Sequence, residues 1–245
     1  MDPEPSAPGA TGQPGEERES PWAFWRSVLI TLGLALAARQ YLVEARYIPS
    51  GSMLPGLQLQ DRLLVEKLTY RQRPPRRGEI VVFHAPHHFD PVLSSARKPG
   101  PLRCLLVNLP LIGALPGLQE PACDAYIKRV VAIPGDQVSI NPLGRVTING
   151  QPLPEPYVTY PCPVDAQGMG PCRPLSTVVP AGNVVVLGDN RANSWDARFW
   201  PGGPFLPHSE IIGRAFWRFW PPATMGSLKA PDPLKAPLQG QQNGP

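Results

Sequence analysis

The 245-residue sequence has no long run of basic residues, and this absence argues against a protein that binds nucleic acid. The formal net charge at pH 7 is only +4, and the arginines are scattered along the chain. Proteins that bind nucleic acid normally gather Lys and Arg into a patch or run, because contacts to phosphates supply much of their affinity. We therefore expect no nucleic-acid partner.

Patterns typical of metal sites are also missing. The cysteines lack the close C-x-x-C pairs of a structural zinc site, and His84, His87 and His88 form only a loose group. We expect neither a metal nor another cofactor. In an exported protein, four cysteines permit disulfides, and a bond between the third and fourth would close a short loop containing Pro and Gly. Four reduced thiols are the alternative for Cys104, Cys123, Cys162 and Cys172.

Segments that favour helices are scarce, because Pro and Gly occupy 35 and 23 positions. This composition predicts an all-β fold of short strands and turns. Runs that are rich in β-branched residues or leucine and bounded by Pro or Gly are expected to be strands. These runs are 62–68, 79–83, 126–133, 137–140, 145–148, 183–187 and 211–220, with 137–148 as a hairpin. Together they indicate a twisted antiparallel assembly.

One stretch, residues 22–43, is suited to crossing a membrane. As a helix it would span roughly 33 Å, against a hydrocarbon core of about 30 Å. Trp22, Trp25 and Tyr41 suit the membrane interfaces. A cleavable secretory signal is the alternative, because Ala35-Leu36-Ala37 resembles a processing site. Nearby positive charges are balanced on the two sides, so they do not determine the orientation of the segment.

The remaining regions are poor in large apolar side chains. We expect disordered tails at 1–21 and 222–245, and one folded body at 44–221. Residues 84–125 are rich in proline, and their apolar stretch is too short and too broken for a second span. We expect 84–125 to form a surface insertion, with contact to the membrane surface as the alternative.

The first segment suited to catalysis follows the apolar stretch directly and reads Pro49-Ser50-Gly51-Ser52-Met53. Gly51 allows unusual backbone angles, and prolines on both sides restrict the flanks. Such a loop can hold a hydroxyl rigidly. The same composition also fits an ordinary turn.

The second segment is the predicted strand around Lys128. Strand alternation places Lys128 on one face with Tyr126 and Val130, and Arg129 on the other. If Lys128 is buried, desolvation should lower its pKa from about 10.4 by roughly three units, which corresponds to about 4 kcal/mol. A neutral amine could then remove a serine proton. A lysine that reaches out to solvent is the alternative.

The third segment, residues 188–198, follows the predicted strand 183–187 and is dense in turn-forming and hydrogen-bonding residues. Taken alone, it fits an Asx-rich surface loop with an ion pair between Asp196 and Arg198. Such a pair contributes little if it is exposed.

In this order behind an apolar segment, the three segments closely resemble the sequence motifs, or boxes, that are typical of bacterial type I signal peptidases. The matching stretches are P-S-G-S-M, Y-I-K-R-V-V-A-I-P-G-D and G-D-N-R-A-N-S-W-D. Segments 77–83 and 211–215 resemble two further boxes of the family. The five ordered matches cover the chain from about residue 22 to 221.

The resemblance implies a membrane-bound serine endopeptidase that removes N-terminal signal peptides from exported preproteins. Its catalytic body would consist of coiled antiparallel sheets. By motif position, the nucleophile is Ser52 and the general base is Lys128. The oxyanion hole would consist of the Ser50 hydroxyl and the Ser52 N–H, Ser194 would orient the lysine amine, and Asp196 and Arg198 would support that loop. Substrate pockets would involve Met53, Tyr126 and Ile127.

The resemblance also implies a single-pass protein of a bacterial cell membrane or an internal membrane, with a cytoplasmic N-terminus and the catalytic domain on the outer face. The chain departs from the family at Ala197, where many relatives carry serine. Two other function classes use similar parts. A tethered β domain that only binds peptides would not need Ser52 and Lys128 together, and a soluble self-cleaving regulator would lack the apolar span.

Overall fold

The computed structural model describes residues 21–84, 100, 104, 125–163 and 172–231. The chain begins there with helix α1, Pro21–Tyr41, which has no buried residue. Among the described residues, α1 is the one helix whose length and composition suit a membrane crossing. Its bounds agree with the predicted span 22–43 to within two residues.

Apart from α1 and a few short helical turns, the regular elements of the described residues are all antiparallel strands, which confirms the predicted all-β class. The short helical elements are α2, Thr69–Gln72, and 3-10 turns at Gly51–Met53, His208–Glu210 and Pro222–Thr224. The strands are β1 Val43–Tyr47, β2 Arg62–Glu66, β3 Ile80–His84, β4 Ala125–Ala132, β5 Gln137–Ile140, β6 Val146–Ile148, β7 Gln151–Pro152, β8 Leu175–Val178, β9 Asn183–Leu187, β10 Leu206–Pro207, β11 Ile211–Trp220 and β12 Gly226–Ser227.

The strands form two sheets. The larger has the order β1-β2-β11-β3-β4-β9-β10, with β12 paired to β11, and the smaller has the order β7-β6-β5-β8. The predicted strands 183–187 and 211–220 agree with β9 and β11 at both ends, and the predicted hairpin forms through β5 and β6. β4 lies between β3 and β9 in the larger sheet, so the lysine strand has a neighbour on each side.

β1 was not among the predicted strands, because its sequence carries two charges and directly follows the apolar helix. It forms by pairing along its whole length with β2. Glu44 is buried there, and Lys67 Nζ approaches its carboxylate to 2.7 Å. The same amine donates to the carbonyls of Arg39 and Gln40 at 3.1 and 3.2 Å. Lys67 therefore fastens the end of α1 to the β domain.

The folded body continues past its predicted end at residue 221. β12 pairs with β11, and the Leu228 N–H donates to the Phe216 carbonyl at 2.8 Å. Backbone pairing orders this segment, which the scarcity of apolar side chains did not indicate. Residues 1–20 and 232–245 of the predicted tails lie outside the described residues. So does the predicted insertion apart from Gly100, Cys104 and its end residues His84 and Ala125, which pair in β3 and β4.

Two clusters of buried apolar residues support the sheets. The first lies between the larger and smaller sheets and includes Val130 of β4 and Val138 of β5. The second lies on the side of β1 and β2 and includes Ile127 of β4 and Met53. β4 contributes to both clusters, and Lys128 is placed between its contributions.

Candidate active site

Ser52 lies at the centre of the 3-10 turn Gly51–Met53, between β1 and β2. Ser50 precedes this turn in an extended conformation, and Met53 below it is fully buried in the second apolar cluster. The Leu57 N–H donates to the Met53 carbonyl at 2.9 Å, which closes the far side of the loop. Ser52 itself is 8% exposed. The serine loop is therefore a packed element with its hydroxyl near the surface.

Lys128 approaches this hydroxyl from β4. Its Nζ lies 2.9 Å from Ser52 Oγ and donates to the Ile127 carbonyl, also at 2.9 Å. The side chain is buried, with only 4% of its surface exposed. The prediction that Lys128 is a buried lysine is thus confirmed, and the alternative of a lysine reaching out to solvent is wrong.

Burial lowers the pKa of Lys128 to about 8. Desolvation of the ammonium is the largest cause, and the nearby Arg198 acts in the same direction. The carboxylates of Asp196 and Asp189 oppose it, since negative charge favours the protonated amine. They limit the size of the shift. A substantial fraction of the amine is neutral near pH 8.

Ser50 and Ser194 are the two further hydroxyls predicted for this site. Ser50 Oγ is 3.4 Å from Ser52 Oγ, on the serine loop itself. Ser194 is buried, and its hydroxyl has no hydrogen-bond partner among the described residues. The hydrogen bond from Ser194 that would orient the lysine amine is therefore not formed in this structure.

Gly188 makes room for these side chains. β9 ends at Leu187, which pairs with Arg129, so Gly188 comes next in the row beside Lys128. A Cβ at Gly188 would lie 2.2 Å from Ser194 Oγ and 2.5 Å from the Ser52 carbonyl oxygen. The absence of a side chain thus allows the serine loop and the loop after β9 to meet.

Asp196 and Arg198 form a buried ion pair. Arg198 Nε and Nη2 donate to the two carboxylate oxygens of Asp196, both at 2.8 Å. Asp196 also accepts from the Gly188 N–H at 3.0 Å. The interpretation of this segment as an exposed loop with a weak surface pair is wrong, because both side chains are buried. The pair fixes the loop next to the lysine.

Of the two alternatives for the third and fourth cysteines, the structure shows the disulfide and not the reduced thiols. Cys162 and Cys172 are bonded, with their Cα atoms 5.9 Å apart. Arg198 Nη1 donates to both sulfurs, at 3.0 and 3.3 Å, and to the Arg191 carbonyl at 3.1 Å. The disulfide therefore packs against the arginine that holds Asp196. Cys104 is also disulfide-bonded, and Cys123 lies outside the described residues.

Two supporting contacts were not predicted from the sequence. Arg129 Nε and Nη2 donate to both oxygens of Asp189, at 2.8 and 2.6 Å, and the guanidinium lies 4.1 Å from the Tyr157 ring centroid. Asn190 donates through its backbone N–H to the Ser52 carbonyl at 3.1 Å. Asp189 and Asn190 belong to the G-D-N-R stretch, but no local pattern indicates their partners 60 or more residues away.

The three residues predicted to line substrate pockets are placed around the pair. Met53 is fully buried beneath Ser52, Ile127 is almost buried next to Lys128, and Tyr126 is half-buried and stacked on Phe83. Among the described residues there is no group of three or more His, Cys, Asp or Glu side chains that could hold a metal ion. The groups that the structure brings together at this site are a hydroxyl and an amine.

An antiparallel β body with an apolar N-terminal helix and a buried serine–lysine pair describes a class, the membrane-anchored serine peptidases. Residues 22–220 match the family described as signal peptidase, peptidase S26, and the chain belongs to this family. The protein is a serine endopeptidase of the type I signal peptidase family that removes signal peptides from preproteins.

The chain is similar to several proteins named signal peptidase I. A signal peptidase I of Leptolyngbya laminosa is 42% identical over 206 residues, which cover 84% of this chain and 83% of the relative. A probable signal peptidase I-2 of a Synechocystis strain is 38% identical over 218 residues, covering 87% and 82% of the two chains. A crystal structure of a signal peptidase I from Enterococcus faecalis is 21% identical, with a TM-score of 0.36, and covers 58% of this chain and 97% of that one.

Proposed function

We propose that Ser52 is the nucleophile and Lys128 the general base of this signal peptidase. The observation that carries the proposal is the 2.9 Å contact between Lys128 Nζ and Ser52 Oγ, with both side chains buried. A buried amine with a lowered pKa can accept a proton at physiological pH, which an exposed lysine cannot do efficiently. No other titratable side chain has a hydrogen bond to Ser52 Oγ among the described residues.

The reaction follows from these roles in two balanced steps. Lys128 takes the proton of Ser52 as Oγ attacks the scissile carbonyl, and the resulting ammonium returns this proton to the leaving amine. The preprotein's mature part departs, and the signal peptide remains bound to Ser52 as an ester. Lys128 then removes a proton from water as the water oxygen attacks the ester, and it returns this proton to Ser52 Oγ as the signal peptide leaves as a carboxylic acid. The same base serves both half-reactions.

The Ser50 hydroxyl and the Ser52 N–H are proposed to donate to the oxyanion that forms in both steps. Such donors stabilise charge that is present only in the transition state, and they are most effective when fixed in advance. The position of Ser50 Oγ, 3.4 Å from Ser52 Oγ, supports this role. Asp196 and Arg198 would hold the adjoining loop.

Ser194 is proposed to orient the amine of Lys128 during catalysis. Its buried hydroxyl has no partner among the described residues, so it is available to bond the amine. A buried polar group without a partner is costly, and this cost favours formation of the contact.

The substrate is proposed to bind as an extended segment, with small side chains at the first and third positions before the cut. The family resemblance supplies this rule. Met53, Tyr126 and Ile127 are the residues proposed to form the shallow apolar pockets. Burial of Met53 and Ile127 next to the pair supports the placement.

We further propose the arrangement in the cell. Residues 22–43 would form a single-pass anchor in the cell membrane or an internal membrane, with residues 1–21 in the cytoplasm and the catalytic domain, from residue 44, on the outer face. The 21 residues of α1, none of them buried, support contact with a lipid bilayer. Lys67 would then hold the site at a fixed height above the membrane. Nucleic acid has no part in this function.

Cleavage of a purified preprotein by the full-length enzyme, beside Ser52→Ala, tests the proposal. The wild type should release the mature protein, and the variant should release none while remaining folded. Full activity of Ser52→Ala would contradict the assignment of the nucleophile.

A further inference from the structure

Asn190 connects the loop after β9 to the serine loop by two hydrogen bonds. Its backbone N–H donates to the Ser52 carbonyl at 3.1 Å, and its side-chain Nδ2 donates to the Gly51 carbonyl at 3.2 Å. Asn190 thus holds the carbonyls of two consecutive peptide units, the ones on either side of Ser52 Cα. Gly51 and Ser52 are at least 138 positions from Asn190 in the sequence. These long-range contacts therefore fix the loop after β9 on the serine loop.

The orientation of the Asn190 amide is determined by its second partner. Its Oδ1 accepts from the Asn193 N–H at 3.1 Å, an arrangement in which only the oxygen can serve. The NH₂ group must therefore face Gly51. The side chain is largely buried, with 8% of the residue exposed, so solvent competes little for either bond.

The contact with Gly51 bears on the oxyanion hole through the geometry of the peptide bond. The Gly51 carbonyl and the Ser52 N–H belong to the same planar trans unit and point in opposite directions. Holding the carbonyl toward Asn190 therefore directs the N–H away from it. Ser52 N–H is also among the first N–H groups of a short helical turn, which have no acceptor inside the turn.

The same contact should strengthen the Ser52 N–H as a donor. The Gly51 carbonyl accepts from the Leu54 N–H at 3.2 Å as well as from Asn190. Hydrogen bonds accepted by a carbonyl polarise its peptide unit and make the N–H a better donor. The Leu54 N–H alone would polarise the peptide unit between Gly51 and Ser52 to some extent, and the amide of Asn190 increases this polarisation.

We propose that Asn190 is a positioning residue that orients and polarises the Ser52 N–H for the oxyanion. This proposal rests on the proposed function, in which that N–H is one of the oxyanion donors. Asn190 would act through the backbone of Ser52 and would not touch the substrate. Its loss should therefore weaken transition-state binding and leave substrate binding intact.

The test compares Asn190→Asp with Asn183→Asp in the full-length, detergent-solubilised enzyme. Asn190→Asp keeps the acceptor for Asn193 but places an oxygen against the Gly51 carbonyl. Asn183→Asp is a matched control, since it also removes an amide that donates to a backbone carbonyl, that of Ala181 at 2.9 Å, in an exposed turn at the start of β9. Asn190→Ala, which introduces no charge, is measured beside them.

For Asn190→Asp we expect kcat for a preprotein to fall by about tenfold to a hundredfold, since loss of a complete oxyanion donor costs about 10² to 10³. KM should stay within about twofold of the wild type in both variants. The midpoint of the pH profile should stay within about 0.3 pH units in Asn190→Ala, which adds no charge near Lys128, whereas the new carboxylate of Asn190→Asp should raise it. A peptide aldehyde forms an adduct with Ser52 that carries an oxyanion. The affinity for this aldehyde should fall by the same factor as kcat. The matching peptide alcohol should bind as before.

Several results would overturn the proposal. These are a wild-type kcat in Asn190→Ala, an equal loss of affinity for aldehyde and alcohol, and a pH midpoint that shifts in Asn190→Ala, which would indicate a general collapse of the site. If Asn190→Asp does not fold, Asn190→Ala decides on the same criteria. Ser52→Ala separates this proposal from the proposed function. If Ser52→Ala is active, Ser52 is not the nucleophile, whatever the Asn190 variants show. An inactive Ser52→Ala beside a fully active Asn190→Ala contradicts only the role of Asn190.

Discussion

Arg129 and Asp189 form a two-pronged ion pair between β4 and the loop that follows β9, with distances of 2.8 and 2.6 Å. Both side chains are buried. The pair also lies close to the chain that follows Ser52, since a Cβ at Gly56 would come within 2.6 Å of Asp189 Oδ2. Removing one partner of such a pair is costly because it leaves a buried charge uncompensated. Arg129 thus holds the loop after β9 against β4, next to Lys128.

The first prediction concerns the identity of the base. Lys128→Arg should be inactive toward a preprotein, with a loss of about 10⁴-fold or more, because a guanidinium does not deprotonate at working pH. Lys67→Arg is the control, since Lys67 is also a hydrogen-bonded lysine, half-buried, but contacts the end of α1 away from Ser52. Cleavage of a purified preprotein measures both. Near-normal turnover by Lys128→Arg would require another base.

The second prediction is the dependence of activity on pH. The pKa of Lys128 is about 8 in the folded protein, and only the neutral amine can accept the proton of Ser52. The neutral fraction rises with pH, so kcat/KM should increase about fivefold between pH 7 and 8 and level off above about pH 9. A pH profile of cleavage at low substrate concentration tests this. Constant activity from pH 6 to 9 would be incompatible with a lysine base of this pKa.

The third prediction concerns Gly188, at the meeting point of the two loops. Gly188→Ala should lose at least about a hundredfold in kcat, since a displacement of about 1 Å in a catalytic group can cost that much. The added methyl group would lie 2.5 Å from the Ser52 carbonyl, a backbone atom that can move only with the serine loop. Gly226→Ala is the control, because a Cβ there meets nothing within 4 Å.

The expected cause is a displaced Ser52, so the Gly188→Ala protein should still be folded. Thermal unfolding and reaction with a serine-directed covalent probe would test this together. A stable variant that reacts slowly with the probe supports the interpretation, whereas wild-type cleavage by Gly188→Ala would contradict it.

The sequence was most informative where function restricts the residues. The motifs predicted that Ser52 and Lys128 act together, and the structure brings Lys128 Nζ within 2.9 Å of Ser52 Oγ. Lys128 and its neighbour Arg129 have different partners, as strand alternation predicted. In contrast, the partners of Arg129 and Asn190 are distant in sequence and depend on how loops pack. β12 could not be predicted either, since the backbone of β11, and not its own short sequence, determines that it forms a strand.

The last prediction is that Lys128 reduces the stability of the folded protein, and that this effect depends on pH. Burial holds the pKa of Lys128 near 8 in the folded state, below its value of 10.5 when unfolded. Between these two values the unfolded chain binds a proton that the folded chain does not. The free energy of unfolding therefore rises with pH in this interval.

Lys128→Met removes the titrating amine but keeps an apolar side chain of similar length. Relative to this variant, the wild type should gain about 2 kcal/mol of stability between pH 7 and 9.5. Urea unfolding of the detergent-solubilised enzymes at several pH values measures the difference, in which other titrating groups cancel. Ser52→Ala, which retains the lysine, should follow the wild type. If the curves for the wild type and Lys128→Met run parallel, the amine is not neutralised by burial, and the chemistry assigned to it loses its physical basis.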